Sequence, residues 1–193
     1  MRDQTHHVLV LGGTAEARDL AQALVAEGFD VESSLAGRVG APRLPVGRVR
    51  IGGFGGADGL ATYLRQQHIT HLIDATHPFA ARMSANALTA ADAVDGVEVL
   101  RLLRPGWADH PDAASWHWVS DLGAAATVVD RLGHRPFVTT GRQSVPFFAG
   151  LAAEHILLRV VDPMQRPGPR WTVVHDRGPY AVASEIALMS RHA

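Results

Sequence analysis

A strand-like run, His7-Val8-Leu9-Val10-Leu11, breaks into Gly12-Gly13-Thr14 and passes at once into a helical segment. Such a turn points unpaired backbone N–H groups outward at the positive end of a helix dipole, an arrangement suited to a diphosphate. The spacing departs from the usual dinucleotide fingerprint, because the second and third glycine positions hold Thr14 and Ala17. Glu16, in the first helical turn, would repel a phosphate. It can interact with the helix dipole or bond a ribose or amide farther off. An NAD site wants an acidic residue about 20 residues after the first glycine, to hold the ribose 2′-hydroxyl. Glu32 lies near that place but before the strand end, which reads Ser33-Ser34-Leu35-Ala36-Gly37-Arg38. Two hydroxyls and a guanidinium suit a 2′-phosphate better, so NADPH is the expected cofactor.

A second group of chemistry-bearing residues follows another strand end, in Asp74-Ala75-Thr76-His77-Pro78-Phe79. Ligands of open α/β sheets bind at such ends. Thr76 is placed with the cofactor, and His77 can donate a hydrogen bond or a proton to a substrate. Ser84 and Asn86, on the next helix, read as packing residues with local backbone bonds. Farther on, Thr139-Thr140-Gly141-Arg142 repeats the strand, glycine turn and helix start, now with an arginine fork for a carboxylate. Arg177-Gly178-Pro179-Tyr180 is a third such loop, and Tyr180 brings a hydroxyl and an aromatic face. Arg104, Thr140, Gly141, Arg142, Arg177, Gly178, Tyr180 and His77 form the expected substrate set, with His77 and Tyr180 the two candidate proton donors.

Composition narrows the chemistry. The 193 residues contain no cysteine, which removes disulfides, thiolate nucleophiles and cysteine metal sites. All 18 basic residues are arginine, so Schiff-base and P-loop lysine chemistry is excluded. The 11 histidines show no recognised ligand spacing, and no metal is expected. A net charge of −1 gives no reason to expect nucleic acid or an anionic membrane as partner. The apolar runs are too short for a membrane span and no signal peptide is read, so the cytoplasm is the default location.

The elements that must position these loops alternate strand and helix. Strands are expected at residues 7–11, 30–35, 48–51, 71–74 and 97–102, with helices at 15–27, 57–67 and 79–92. The third strand is followed by a glycine cluster. After Arg104-Pro105-Gly106-Trp107 a polar stretch with Pro111 reads as a linker. Strands then follow at 116–120, 137–140, 155–161 and 171–174, and helices at 121–132, 144–153 and 182–192. This predicts an α/β protein of two Rossmann-like halves, each a parallel sheet with helices on both faces. Residues 1–104 would bind the nucleotide, and residues 105–193, a smaller unit, the substrate.

Taken together, Leu11-Gly12-Gly13-Thr14-Ala15-Glu16-Ala17, Ser34-Leu35-Ala36-Gly37-Arg38 and Asp74-Ala75-Thr76-His77-Pro78-Phe79-Ala80 resemble the precorrin-6A reductase family. So do Arg104-Pro105-Gly106-Trp107, Thr139-Thr140-Gly141-Arg142 and Arg177-Gly178-Pro179-Tyr180, in order and spacing over nearly the whole chain. The resemblance implies two Rossmann-like halves with a substrate cleft between them. It also implies reduction of the tetrapyrrole precorrin-6A to its dihydro product, precorrin-6B, with NADPH, in cobalamin biosynthesis. An anaerobic branch of the family takes the cobalt-containing substrate, often with NADH. Transient contacts with neighbouring pathway enzymes are a further expectation. The family pattern continues with another strand and a Lys-Asn-Ser-Gly-Gly loop, whereas this chain stops at Ala193. Two other readings stay open: a non-catalytic NADPH sensor module, and a reductase of another conjugated polycarboxylate.

Overall fold

The computed structural model describes residues 6–37 and 43–192. The chain divides into two compact units, residues 1–109 and 110–193. In the first, strands β1 (His7–Leu11), β2 (Asp30–Leu35), β3 (Arg48–Ile51), β4 (His71–Asp74) and β5 (Glu98–Arg101) form one sheet in the order β3-β2-β1-β4-β5. Every pairing is parallel. Side chains on a strand alternate faces, and β1 shows the consequence. Val8 and Val10 meet Ala17 and Ala21 of helix α1 (Ala15–Ala26) on one face. Leu9 and Leu11 meet Leu60 and Leu64 of α2 (Ala57–Gln66) and Ala87, Ala90 and Ala91 of α3 (Ala81–Asp92) on the other. The central strand is therefore sealed on both sides, as a parallel sheet requires, and its carboxyl end is fixed in place.

Alanine at the third fingerprint position now has a physical reason. A Cβ built at Gly12 would already touch the Ala17 Cβ at 3.5 Å, so the two positions pack face to face and a side chain longer than alanine at 17 would press on the turn. On β2, Glu32 is buried, and both its carboxylate oxygens lie 2.8 Å from the Tyr63 hydroxyl of α2. Removing that donor would strand a buried acceptor. Tyr63→Phe should cost about 1–3 kcal/mol of unfolding free energy. A urea melt at neutral pH reads it directly, and an unchanged midpoint would show that Glu32 is satisfied elsewhere.

The second unit holds a three-stranded parallel sheet, β6 (Phe137–Val138), β7 (Ile156–Val160) and β8 (Trp171–His175), in the order β6-β7-β8. Ile156, Leu158 and Val160 bury one face of β7 against α4 (Leu122–Leu132) and α5 (Val145–Phe148). Arg159, on the opposite face, donates to Glu185 of α6 (Val182–His192) at 2.6 Å. The fold class expected from the sequence is present: α/β, with two parallel sheets and helices.

Two sequence expectations change. Residues 116–120 form no strand. Trp116 and Trp118 supply β propensity but pair with no strand, and the Trp118 ring N–H is spent on the Ala113 carbonyl at 3.1 Å. The helix expected over 144–153 is only a 3-10 turn (Arg142–Ser144) and the four-residue α5. Among the described residues no helix is long and apolar enough to cross a membrane.

Candidate functional site

The first unit opens a cleft of about 860 Å³ at the carboxyl ends of its strands. Three loops line it. Gly12, Gly13 and Thr14 follow β1, Gly53–Gly56 precede α2, and Thr76, His77, Phe79 and Ala80 lead from β4 into α3. The sheet order explains the convergence. From β1 the chain first builds outward to β2 and β3, then returns to the other side for β4 and β5. The crossovers leave β1 and β4 in opposite directions, and this switch point is where open α/β sheets bind ligands.

Each loop is held by contacts that leave its outer surface available. Thr14 caps α1 by accepting from the Ala17 N–H at 3.1 Å, and its hydroxyl donates to the Ala75 carbonyl at 3.2 Å. That second bond ties the β1 turn to the β4 loop. Gly13 has φ +117°, a region side-chain-bearing residues rarely adopt, and a Cβ there would meet nothing within 4 Å. The open space beside Gly13 is the feature that fits a diphosphate.

Asp74 organises the β4 loop. Its Oδ1 accepts from the Thr76 N–H at 3.1 Å and the Thr76 hydroxyl at 2.7 Å. Its Oδ2 stands 3.5 Å from Arg101 Nε. Burial alone would raise its pKa, but hydrogen bonds from Ser84 and Thr76, with Arg101 nearby, bring it below the ordinary value. Ser84 therefore bonds a carboxylate rather than its local backbone. Asn86, expected to pack, lines the cleft instead.

His77 sits at the cleft edge, and its Nδ1 accepts from the Phe79 N–H at 3.2 Å. An accepting Nδ1 assigns the proton of the neutral ring to Nε2. Desolvation, then the positive charge of Arg104, lowers its pKa from the ordinary value. His77 is thus a neutral hydrogen-bond donor near pH 7.

Arg104 is placed otherwise than a free carboxylate hook. Its Nη2 bonds Glu16 Oε2 at 2.9 Å. The Glu16 carboxyl is held below its usual range chiefly by its own backbone N–H, with Arg104 adding to the effect. The pair removes the repulsion that Glu16 would exert on an anion at the β1 turn.

The remaining expected contacts divide. Ser34 accepts from Arg50 at 2.9 Å. Ser33 is 1 % exposed, and its hydroxyl has no partner. Facing inward from β2, it has no surface to offer a cofactor, and the expectation that it binds one is corrected. Gly37 ends the description of the β2 loop, and Arg38 lies outside the described residues. In the second unit, Thr140, Gly141 and Arg142 follow β6, and Arg177, Gly178 and Tyr180 follow β8. Both strands run parallel to β7, so these loops leave the same carboxyl end of that sheet. With only a 3-10 turn and a one-turn helix behind it, Gly141 has little helix dipole to offer an anion. The charge there rests on Arg142. The Tyr180 hydroxyl donates to the Asp176 carbonyl at 3.1 Å, and its ring lies 3.6 Å from the Arg159 guanidinium carbon.

Sequence reasoning missed Gly53, Phe54, Gly55, Gly56, Arg82 and Met83, which also line the cleft. The signal was present: Ile51-Gly52-Gly53-Phe54-Gly55-Gly56 repeats the strand, glycine turn and helix logic of the first loop.

Comparison with known proteins places the chain in a family. A family profile described as precorrin-6x reductase CbiJ/CobK matches residues 7–193. The precorrin-6A reductase of Rhodococcus erythropolis is 50% identical over 188 residues, covering 96% of this chain and 75% of that protein. The one from Rhodobacter capsulatus is 43% identical over 184 residues, covering 94% and 72%. The solved structure of CobK precorrin-6A reductase superposes with a TM-score of 0.87 at 41% identity, over 97% of this chain and 74% of that one. On sequence and fold alike, the chain belongs to the precorrin-6x reductase family, CbiJ/CobK.

Proposed function

We propose that this protein reduces precorrin-6A to precorrin-6B with NADPH, in the cytoplasm, as a step of cobalamin biosynthesis. The observation that carries the reading is the Gly12-Gly13-Thr14 turn, which opens into the cleft at the switch point of the sheet, in a chain of this family. When bound, NADPH supplies a hydride from C4 of its nicotinamide to a carbon of the conjugated macrocycle. The protein's own residues bind and orient. The amides at Gly13 and Thr14 receive the diphosphate, the Gly12 N–H being spent on the Ser34 carbonyl at 3.0 Å, and Thr76 and the Gly53–Gly56 loop bound the cofactor on either side. Ser34, at the end of β2, stands toward the 2′-phosphate end, and Arg38, outside the described residues, is the second candidate from the sequence. His77, neutral and carrying its proton on Nε2, donates a hydrogen bond at the reacting end.

In the second unit, Arg142 and Arg177 hold carboxylates of the substrate. Tyr180, whose hydroxyl donates to the Asp176 carbonyl and whose ring lies over the Arg159 guanidinium, stands second to His77 as proton donor. Arg104 acts through Glu16. Its removal leaves an unpaired carboxylate near the diphosphate. Arg104→Ala should raise the NADPH Kd about fivefold, the effect of a partly exposed charge pair. Adding Glu16→Gln should restore most of the affinity. A double variant no better than the single one would place Arg104 on a ligand directly.

The test of the function is anaerobic NADPH oxidation with and without precorrin-6A, with the product followed by its absorption spectrum. One NADPH consumed per macrocycle is expected. NADPH binding without turnover would leave a sensor module. Turnover with a different conjugated polycarboxylate, but not with precorrin-6A, would reassign the substrate.

A further inference from the structure

Arg50 lies on β3 in register with Ser34 of β2. Its Nη1 donates to the Ser34 hydroxyl and to the Gly52 carbonyl, both at 2.9 Å. Its Nη2 donates to the Gly53 carbonyl at 3.2 Å. The guanidinium carbon stands 3.8 Å from the centroid of the Phe54 ring and 5.0 Å from that of Tyr63. Three hydrogen bonds and a stacked face hold this cation in one place. The nearest acid on β2, Glu32, is buried and committed to Tyr63, so it does not neutralise Arg50 by direct pairing.

The position matters because of the sheet order. Gly53 and Phe54, which Arg50 holds, wall the cleft together with Ala36 on the β2 and β3 side. A dinucleotide whose diphosphate rests at the β1 turn extends its adenosine toward the end of β2, where the ribose 2′ position is read. An acid there would accept from a 2′-hydroxyl. Here the acid is masked, and a fixed arginine bonds the serine at the strand end.

We propose that Arg50 is a specificity-determining residue whose fixed charge beside Ser34 favours a nucleotide phosphorylated on the 2′-hydroxyl. The inference rests on the dinucleotide reading of the Gly12–Thr14 turn and adds the residue that sets cofactor choice.

Calorimetric titration of the full chain with NADPH, NADH, 2′,5′-ADP and ADP tests it without any turnover. Arg50→Met should raise the Kd for NADPH and 2′,5′-ADP about tenfold or more, the worth of a charge-assisted contact to phosphate. NADH and ADP should stay within about twofold of wild type, because they lack that phosphate. Arg50→Lys keeps the charge but loses the planar fork, and should fall between the two. It also serves if the methionine variant does not fold. Equal weakening of NADPH and NADH would overturn the proposal, since Arg50 would then only prop the Gly52–Phe54 loop. Unchanged NADPH affinity in the folded variants would overturn it as well. A wild-type chain that binds none of the four nucleotides would remove the dinucleotide reading itself, before any variant is compared.

Discussion

A Gly13→Val protein should fold and lose nearly all affinity for NADPH. Gly13 carries φ +117°, and a Cβ built there touches no protein atom within 4 Å. The cost to the folded state is therefore conformational, about 1–3 kcal/mol for holding an L-residue in that region. The cost to binding is larger. Valine would fill the space in front of the amides that receive the diphosphate. It would also press the backbone toward another φ, turning those N–H groups away. Losing two charge-assisted bonds to phosphate corresponds to about 100-fold or more in Kd. The pair of measurements is a thermal melt and a titration of NADPH fluorescence. A modest drop in melting temperature with binding abolished is the expected result. Retained NADPH affinity would mean that the diphosphate lies elsewhere, and the proposed function would need another cofactor site.

Much of the fold could be read in advance, because it is written in local periodicity. His7–Leu11 and His71–Asp74 are apolar runs bounded by turn residues, and each became a buried strand. The Ala17, Leu20, Ala21 and Leu24 stripe became the packed face of α1. What failed were inferences that need a partner in space. Residues 116–120 have the composition of a strand, yet the second sheet contains only β6, β7 and β8. The candidate site divides in the same way. Gly12, Gly13, Thr14, Thr76 and His77 announce themselves as strand-end turns, and all five line one cleft. Ser33 and Ser34 are neighbours in sequence, but strand alternation buries one hydroxyl and leaves the other to meet Arg50. Neither that contact nor the tie between Arg104 and Glu16, 88 positions apart, could be seen without the β2–β3 register and the reach of the loop after β5 back to the first turn of α1.

Gly59 is the counterpart of Gly13, a glycine demanded by protein rather than by ligand. It is the third residue of α2, within the first turn, where alanine would ordinarily be the better helix former. Here the Phe54 carbonyl packs directly on it, and an added Cβ would overlap both the oxygen and the carbon of that carbonyl. The obstacle is backbone, so no rotamer change relieves it. Gly59→Ala should therefore destabilise the protein by about 3 kcal/mol or more, the upper range for overpacking, despite the gain in helix propensity. Gly133→Ala is the matched control, since a Cβ there meets nothing within 4 Å. The consequence reaches the cleft. To admit the methyl group, the Gly53–Gly56 segment must move off α2, carrying Phe54 away from the Arg50 guanidinium. In the folded fraction of Gly59→Ala, nucleotide affinity should fall together with stability, unlike Tyr63→Phe, which disturbs only Glu32. A Gly59→Ala protein that melts with the wild type would show that the Phe54 loop does not rest on α2, and the cleft wall described above would have to be redrawn.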